Sequence, residues 1–387
     1  MHFELTFLRA PAIAGAVALL LGACGGGGGY DEPATPAVPA ETLNATLTAD
    51  QEAPATVASG AKGSASLSLD RATRTLSATV SVDGATPTLA HIHVGAAGKA
   101  GAVVLPLALS ASGASLAATV LSTAQLQSLD AGDLYLNVHS AAHPGGEIRG
   151  QIGREVYSAR LSGAQETAPV ATTAHGSGRL VLNPVTRALS GELEVHGLAA
   201  TAAHIHAGAV GSNGAVAIAL VDHGGHGHFE VPANTVLTPA QVDALRAGGL
   251  YFNVHSAANP GGEVRGQIGR TVAIAAASGA QEVPSNVSAA SGRGIVSYDP
   301  ATRRIEGTLT LSGMTATIAH IHMAAAGANG PVIVGLAETA AGSGVWAVPA
   351  NTVLTAPQAQ ALLSGGLYFN AHSAAFAGGE VRGQLQP

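Results

Sequence analysis

Nine histidines, arranged as three equal sets, are the residues of this chain best placed to do chemistry. His91-Ile92-His93, His204-Ile205-His206 and His320-Ile321-His322 write the same short stretch three times. In an extended strand, side chains at i and i+2 leave the same face. Each pair of imidazoles therefore projects together while its isoleucine turns the other way. A later strand-like segment supplies a third histidine to each set: His139, His255 and His372. In the first copy this segment is Leu134 to His139, and Tyr135, Asn137 and His139 share one face of it. Three imidazoles hold copper or zinc and leave a coordination position open, provided the two strands are neighbours. The same residues also read as histidines on the polar face of a strand, solvated or satisfied by local hydrogen bonds. Recurrence does not separate the two readings, because duplicated copies inherit residues whether or not they are used.

Two other constellations stand out. In His143-Pro144-Gly145-Gly146-Glu147-Ile148-Arg149-Gly150-Gln151, Glu147 and Arg149 fall on one strand face. They form a candidate ion pair, structural or anion-binding, repeated as Glu263/Arg265 and Glu380/Arg382. An exposed pair of this kind contributes only about 0–1 kcal/mol. The third copy departs from the others in having Ala377 at the proline position. The second constellation, Asp222-His223-Gly224-Gly225-His226-Gly227-His228, occurs in the middle copy alone and reads as a flexible loop or a loose metal tract. No nucleophile elbow, phosphate-binding loop, dinucleotide fingerprint or His-Glu-x-x-His helix is present. The net charge is −7 and no Lys/Arg run occurs, which argues against nucleic acid as a partner. The balance points to a protein that is not an enzyme.

The elements that must position these residues are mostly strands. Gln51-Glu52, Gln165-Glu166 and Gln281-Glu282 recur with the histidine period, as does Gly-Gly-Glu before each final strand. A period of about 115 residues is the size of a domain rather than of a solenoid unit. The chain therefore divides into three tandem domains at 43–153, 154–270 and 271–387, with almost no linker between them. In the first, alternating runs at 43–47, 63–69, 76–82 and 89–94 read as strands, with a hairpin turn at Asp70 to Arg74. Further strands are expected at 102–107, 134–139 and 147–152, and a short helix after Ser122 as N-cap. The other copies place their helices after Thr238 and Thr355. Seven or eight short strands with frequent turns make an all-β antiparallel Greek-key sandwich, immunoglobulin-like in architecture, with one short helix per domain. Only 3% of residues are aromatic, so the cores must be built from small aliphatic side chains.

The start of the chain has a different character. Residues 11–21 form an apolar run too short to cross a bilayer as a mature helix but suited to a signal sequence. It ends in Leu21-Gly22-Ala23-Cys24, and Cys24 is the single cysteine of the chain. This resembles the lipobox of bacterial lipoproteins, which implies a signal peptide at 1–24 and a lipidated Cys24. Gly25 follows rather than an aspartate, so the resemblance points to the outer membrane, facing the periplasm or the outside. Residues 25–42, rich in Gly, Pro and Ala, read as a flexible tether. The membrane, reached through that anchor, is then one partner, and an envelope or extracellular component is the other.

The set Gln-Glu-x-x-Pro, Ala-His-Ile-His-x-Gly, Leu-Tyr-x-Asn-Val-His-Ser and Pro-Gly-Gly-Glu-x-Arg-Gly-Gln resembles the CHRD domain over nearly all of 43–387. That domain is named for chordin and also occurs, often in tandem, in secreted bacterial proteins. The resemblance implies an extracytoplasmic β domain without a defined activity. A fainter similarity links these motifs to the Cu,Zn superoxide dismutase sandwich. It implies His91, His93 and His139 as copper ligands and Arg149 as an anion guide. The chain lacks a bridging histidine, a His/Asp-rich zinc loop and the usual disulfide cysteines. Two readings follow from these resemblances. One is a lipid-anchored, non-enzymatic envelope protein with three interaction domains and no required cofactor. The other is a copper or zinc protein with one three-histidine site per domain, serving metal handling or weak dismutase-like redox chemistry.

Overall fold

The computed structural model describes residues 39–387. The expected signal peptide, Cys24 and nearly all of the tether lie outside the described residues. Among the described residues no helix is long and apolar enough to cross a membrane.

Each repeat is one nine-stranded antiparallel sheet doubled into a sandwich. In the first, β1 (Glu41–Thr48), β2 (Lys62–Asp70) and β3 (Thr75–Asp83) form a meander. β4 (Pro87–Val94), β5 (Val103–Pro106), β6 (Ala108–Ser110) and β7 (Gly113–Val120) follow. Then come helix α1 (Thr123–Ala131), β8 (Leu134–Ser140) and β9 (Ile148–Gln151). The order across the sheet is β5-β4-β8-β9-β1-β2-β3-β7-β6. The chain leaves β3, builds β4 and β5 at the other end of the sheet, and returns through β6 to β7 beside β3, which is a Greek-key link. The two outermost strands, β5 and β6, are separated in sequence by Leu107 alone. The sheet must therefore fold back until its ends meet. Leu107 sits buried at that seam, and its N–H donates to the Ala90 carbonyl at 3.0 Å.

Alternation drives the packing. In β2 the side chains of Ala65, Leu67 and Leu69 turn inward, and in β3 those of Leu76, Ala78, Val80 and Val82 do so. The turn between them is closed by Asp70, whose Oδ1 accepts from the N–H groups of Ala72 and Thr73. Helix α1 begins with a reciprocal capping box: Ser122 Oγ accepts from Gln125 N–H, and Gln125 Oε1 accepts from Ser122 N–H. Each repeat has its own hydrophobic core, one drawn from residues 45–152, one from 159–268 and one from 273–385; the first is aliphatic, as expected, whereas the others also bury Phe229 and Phe252, and Tyr298, Trp346 and Phe369.

Two strands escape the sequence reading. β7, Gly-Ala-Ser-Leu-Ala-Ala-Thr-Val, lacks the large alternating side chains that announce a strand, and it is held mainly by its ladder to β3. The strand expected at 102–107 is β5, and β6, which begins past the sandwich corner at Leu107, lies outside the expected range.

The three repeats touch one another through polar contacts. Arg160 donates to Thr56 Oγ1 at 2.6 Å, and Arg293 donates to the Ala164 carbonyl at 2.8 Å. The third repeat also returns to the first. Arg303 donates through Nε to the Gly60 carbonyl at 2.7 Å, and its two terminal nitrogens reach Asp83 Oδ2 and the Asp83 carbonyl, both at 2.8 Å. Its backbone is left-handed, with φ of 60°, so asparagine is the replacement that keeps the turn. Arg303→Asn is expected to free the third repeat from the first. Small-angle scattering of the full chain should show a larger radius of gyration while the far-ultraviolet dichroism stays unchanged.

Candidate metal centre

β8 is buried along its whole length, although only one of its faces meets the aliphatic core. Leu134, Leu136 and Val138 point into that core. The other face carries Tyr135, Asn137 and His139 and is roofed by loops. Pairing with β4 sets His93 opposite Tyr135, His91 opposite Asn137, and Leu89 opposite His139. His139 thus lies diagonally across from His91, and the three imidazoles converge. The ring centroids of His91 lie 5.6 Å from His93 and 5.3 Å from His139. The same trio forms from His204, His206 and His255, and from His320, His322 and His372. In each repeat one nitrogen from every histidine lies within 4.8 Å of the other two; His139 is buried and the other eight side chains are half-buried.

Two rings of each trio are oriented by backbone carbonyls. His93 Nδ1 lies 2.9 Å from the Gly101 oxygen, and His139 Nδ1 lies 3.0 Å from the Pro144 oxygen. A carbonyl only accepts, so Nδ1 carries the proton and Nε2 presents its lone pair. The second repeat repeats this with Gly214 and Pro260, and the third with Gly330 and Ala377. Alanine at 377 is tolerated because the contact uses the main chain. The first ring of each trio turns the other way. His91 Nδ1 faces His139 Nε2 at 3.4 Å, and His204 Nδ1 faces His255 Nε2 at 3.1 Å. In the third repeat His320 Nδ1, His322 Nε2 and His372 Nε2 are all buried without any partner.

The surrounding polar residues hold this arrangement. Tyr135 stacks on His93 with centroids 4.9 Å apart, and its hydroxyl accepts from the Gly101 N–H at 3.1 Å. The Arg149 guanidinium lies 3.5 Å from the centre of the Tyr135 ring. It donates to the carbonyls of Lys99 at 2.9 Å and Ala96 at 2.8 Å, while Gln151 donates to those of Gly95 and Gly132. The loop that presents Gly101 to His93 is thereby clamped. A Cβ at Gly101 would stand 1.5 Å from the Val94 oxygen, so only glycine lets the loop close there.

Glu52 lies beneath the next turn and accepts from Asn137 Nδ2 at 3.0 Å. Gly146 crosses directly over both at φ of 133°, and a Cβ there would meet the Glu52 carboxylate at 2.8 Å. Burial is the largest influence on these groups. It pushes the His93 and His139 imidazoles below their ordinary range; the backbone carbonyls oppose this and the neighbouring imidazoles add to it. It also lowers His204, His320 and His322. Burial pushes the Glu52 carboxyl up to about 7, against the pull of Asn137 and Arg149. Glu166 and Glu282 are raised for the same reason.

The expected pairs Glu147/Arg149, Glu263/Arg265 and Glu380/Arg382 do not form. Glu147 accepts from Ser59 Oγ at 2.6 Å, Glu263 from Thr172 and Ser256, and Glu380 from Ser288. Each arginine instead turns along the sheet onto its tyrosine. Being 1% exposed, Arg149, Arg265 and Arg382 cannot greet an anion from solution. The middle repeat's loop places His223 and His228 at 3.2 and 3.7 Å from Glu230, and this group brings no third histidine within ligand range. The role of Glu52, Tyr135 and Asn137 went unread from sequence. Its signal was the recurrence of Gln-Glu and Tyr-x-Asn with the histidine period.

Two outcomes test this geometry. Gly146→Ala should destabilise the first repeat by about 1–3 kcal/mol, read by chemical denaturation, because strain adds to displacement of Glu52. Folded Glu52 holds its proton up to about pH 7, whereas unfolded it loses it near 4.5. Its contribution to stability therefore falls as pH rises through that window. In Glu52→Gln, the melting temperature relative to wild type should rise between pH 5 and pH 8.

Comparison with known proteins agrees with the motifs. The CHRD domain family matches residues 43–152, 157–268 and 274–385. Zebrafish (Danio rerio) chordin is 31% identical over 161 residues, covering 35% of this chain and 16% of chordin. The chain thus spans about a sixth of that relative's length. No solved structure matches. With three matches that together cover most of its length, the chain belongs to the CHRD domain family, in three tandem copies.

Proposed function

We propose that this is an exported, lipid-anchored envelope protein whose three CHRD domains act as a non-enzymatic binding module. The observation that supports this reading most directly is a threefold display. Short strand β5 sets Val103 opposite His93, and the second and third repeats set Val216 opposite His206 and Val332 opposite His322. These valines are 50%, 53% and 50% exposed. One surface, an apolar side chain beside a fixed imidazole, is thus offered three times. Three linked copies of a weak site raise avidity without any new contact. Attachment through Cys24 and residues 25–42 would confine all three to the membrane surface, with an envelope or extracellular component as the partner.

The anchor and the surface are tested separately. Cys24→Ala should abolish incorporation of radiolabelled palmitate and move the chain from the membrane to the soluble fraction. For the surface, solubilised envelope extract is passed over the immobilised chain. A component retained by wild type should be lost stepwise as Val103, Val216 and Val332 are changed to glutamate one repeat at a time. Equal retention by the triple variant would overturn the assignment of that surface.

A further inference from the structure

The histidine trios have a property that surface recognition does not use. Their free nitrogens face one another rather than solvent or a partner. We infer that each repeat is a binding site for one first-row transition-metal ion of the zinc or copper class. In the first repeat the ligand atoms are His91 Nδ1, His93 Nε2 and His139 Nε2, and the same atoms serve in the other two.

Four observations carry this. The first is spacing. Two nitrogens about 2.0–2.1 Å from a tetrahedral ion stand roughly 3.4 Å apart. His91 Nδ1 and His139 Nε2 are 3.4 Å apart, and the second repeat's pair is at 3.1 Å.

The second is the proton arrangement. In six of the nine rings Nδ1 faces a main-chain carbonyl. The opposite nitrogen is then a fixed lone pair, as in second-shell orientation of ligating histidines. The remaining ring of each trio takes its proton on Nε2 when Nδ1 ligates, so no ligand atom needs to lose a proton to an unusual place.

The third is what is left unsatisfied. Buried polar nitrogens normally find partners, and an orphaned one is destabilising. The third repeat orphans His320 Nδ1, His322 Nε2 and His372 Nε2 together, and these are the proposed ligand atoms. His93 Nε2 and His206 Nε2 are orphaned as well. In the first and second repeats the other two nitrogens have only each other as partners, at 3.4 and 3.1 Å, and in the third repeat all three end without any.

The fourth is donor chemistry. The site offers imidazole nitrogen only, with no carboxylate or thiolate in the trio. Calcium and magnesium take oxygen ligands and are excluded, whereas zinc and copper suit imidazole.

The full chain, stripped with chelator, would be loaded with zinc or copper(II), desalted, and analysed for metal. Three ions per chain are expected. Changing His91 and His93 to glutamine should lower the count to two, and the same change in all three repeats should lower it to background. Changing His223, His226 and His228 to alanine should leave it at three. Nitrogen-15 spectra of labelled wild-type histidine provide a readout that needs no variant. Zinc should shift Nδ1 of His91 and Nε2 of His93 and His139, and should spare Nδ1 of His93. Fewer than one ion per repeat, a count unmoved by the glutamine changes, or resonances untouched by zinc would each overturn the site.

Discussion

Everything polar in a repeat depends on a buried guanidinium without a carboxylate partner. Arg149 lies flat on Tyr135 and is satisfied by two main-chain carbonyls of the β4–β5 loop. A charge in that position is tolerable only if every donor is used and the ring beneath it is fixed. The loop therefore cannot wander, since moving it would strand the charge. The imidazoles inherit this rigidity, because His93 is stacked on the same tyrosine and bonded to the same loop. Glu52, also buried, lies on the other side of Asn137 and favours the charge on Arg149 when its own carboxyl is ionised.

This explains why β8 is covered on both faces. An antiparallel strand usually turns one face to water. Here the second face is a closed polar layer whose members satisfy one another. The motifs that define the family are spent on that layer: Gln-Glu supplies the carboxyl, Tyr-x-Asn-x-His the middle row, and Gly-Gly-Glu-x-Arg-Gly-Gln the clamp. They build a scaffold around the histidines.

Much of this was legible in the chain itself. The period set the domain count, and alternation in β2, β3, β4 and β8 set the sandwich. The i, i+2 rule placed His91 and His93 on one face, and the Tyr-x-Asn-x-His row put His139 on a matching one. What stayed hidden depended on pairs distant in sequence. Glu147 and Arg149 share a strand face, so a local reading joins them. The fold instead offers Glu147 the hydroxyl of Ser59, and it offers Arg149 an aromatic ring and a loop. β7 stayed hidden for another reason: its small side chains bury little, so its strand character lies in the backbone ladder. The dismutase-like anion guide fails on burial, which sequence alone does not report.

The turn between the second and third strands of every repeat ends in an arginine with a left-handed backbone: Arg74, Arg187 and Arg303. The first reaches only the Thr123 hydroxyl at an exposed site. The third is buried against the first repeat. One inherited residue has thus acquired an inter-repeat contact in the third copy that its counterpart in the first does not make. Equivalent positions in the three copies are therefore not interchangeable. Deletion of the middle copy would change the path by which the third repeat returns to the first, and with it the approach of Arg303 to Gly60 and Asp83.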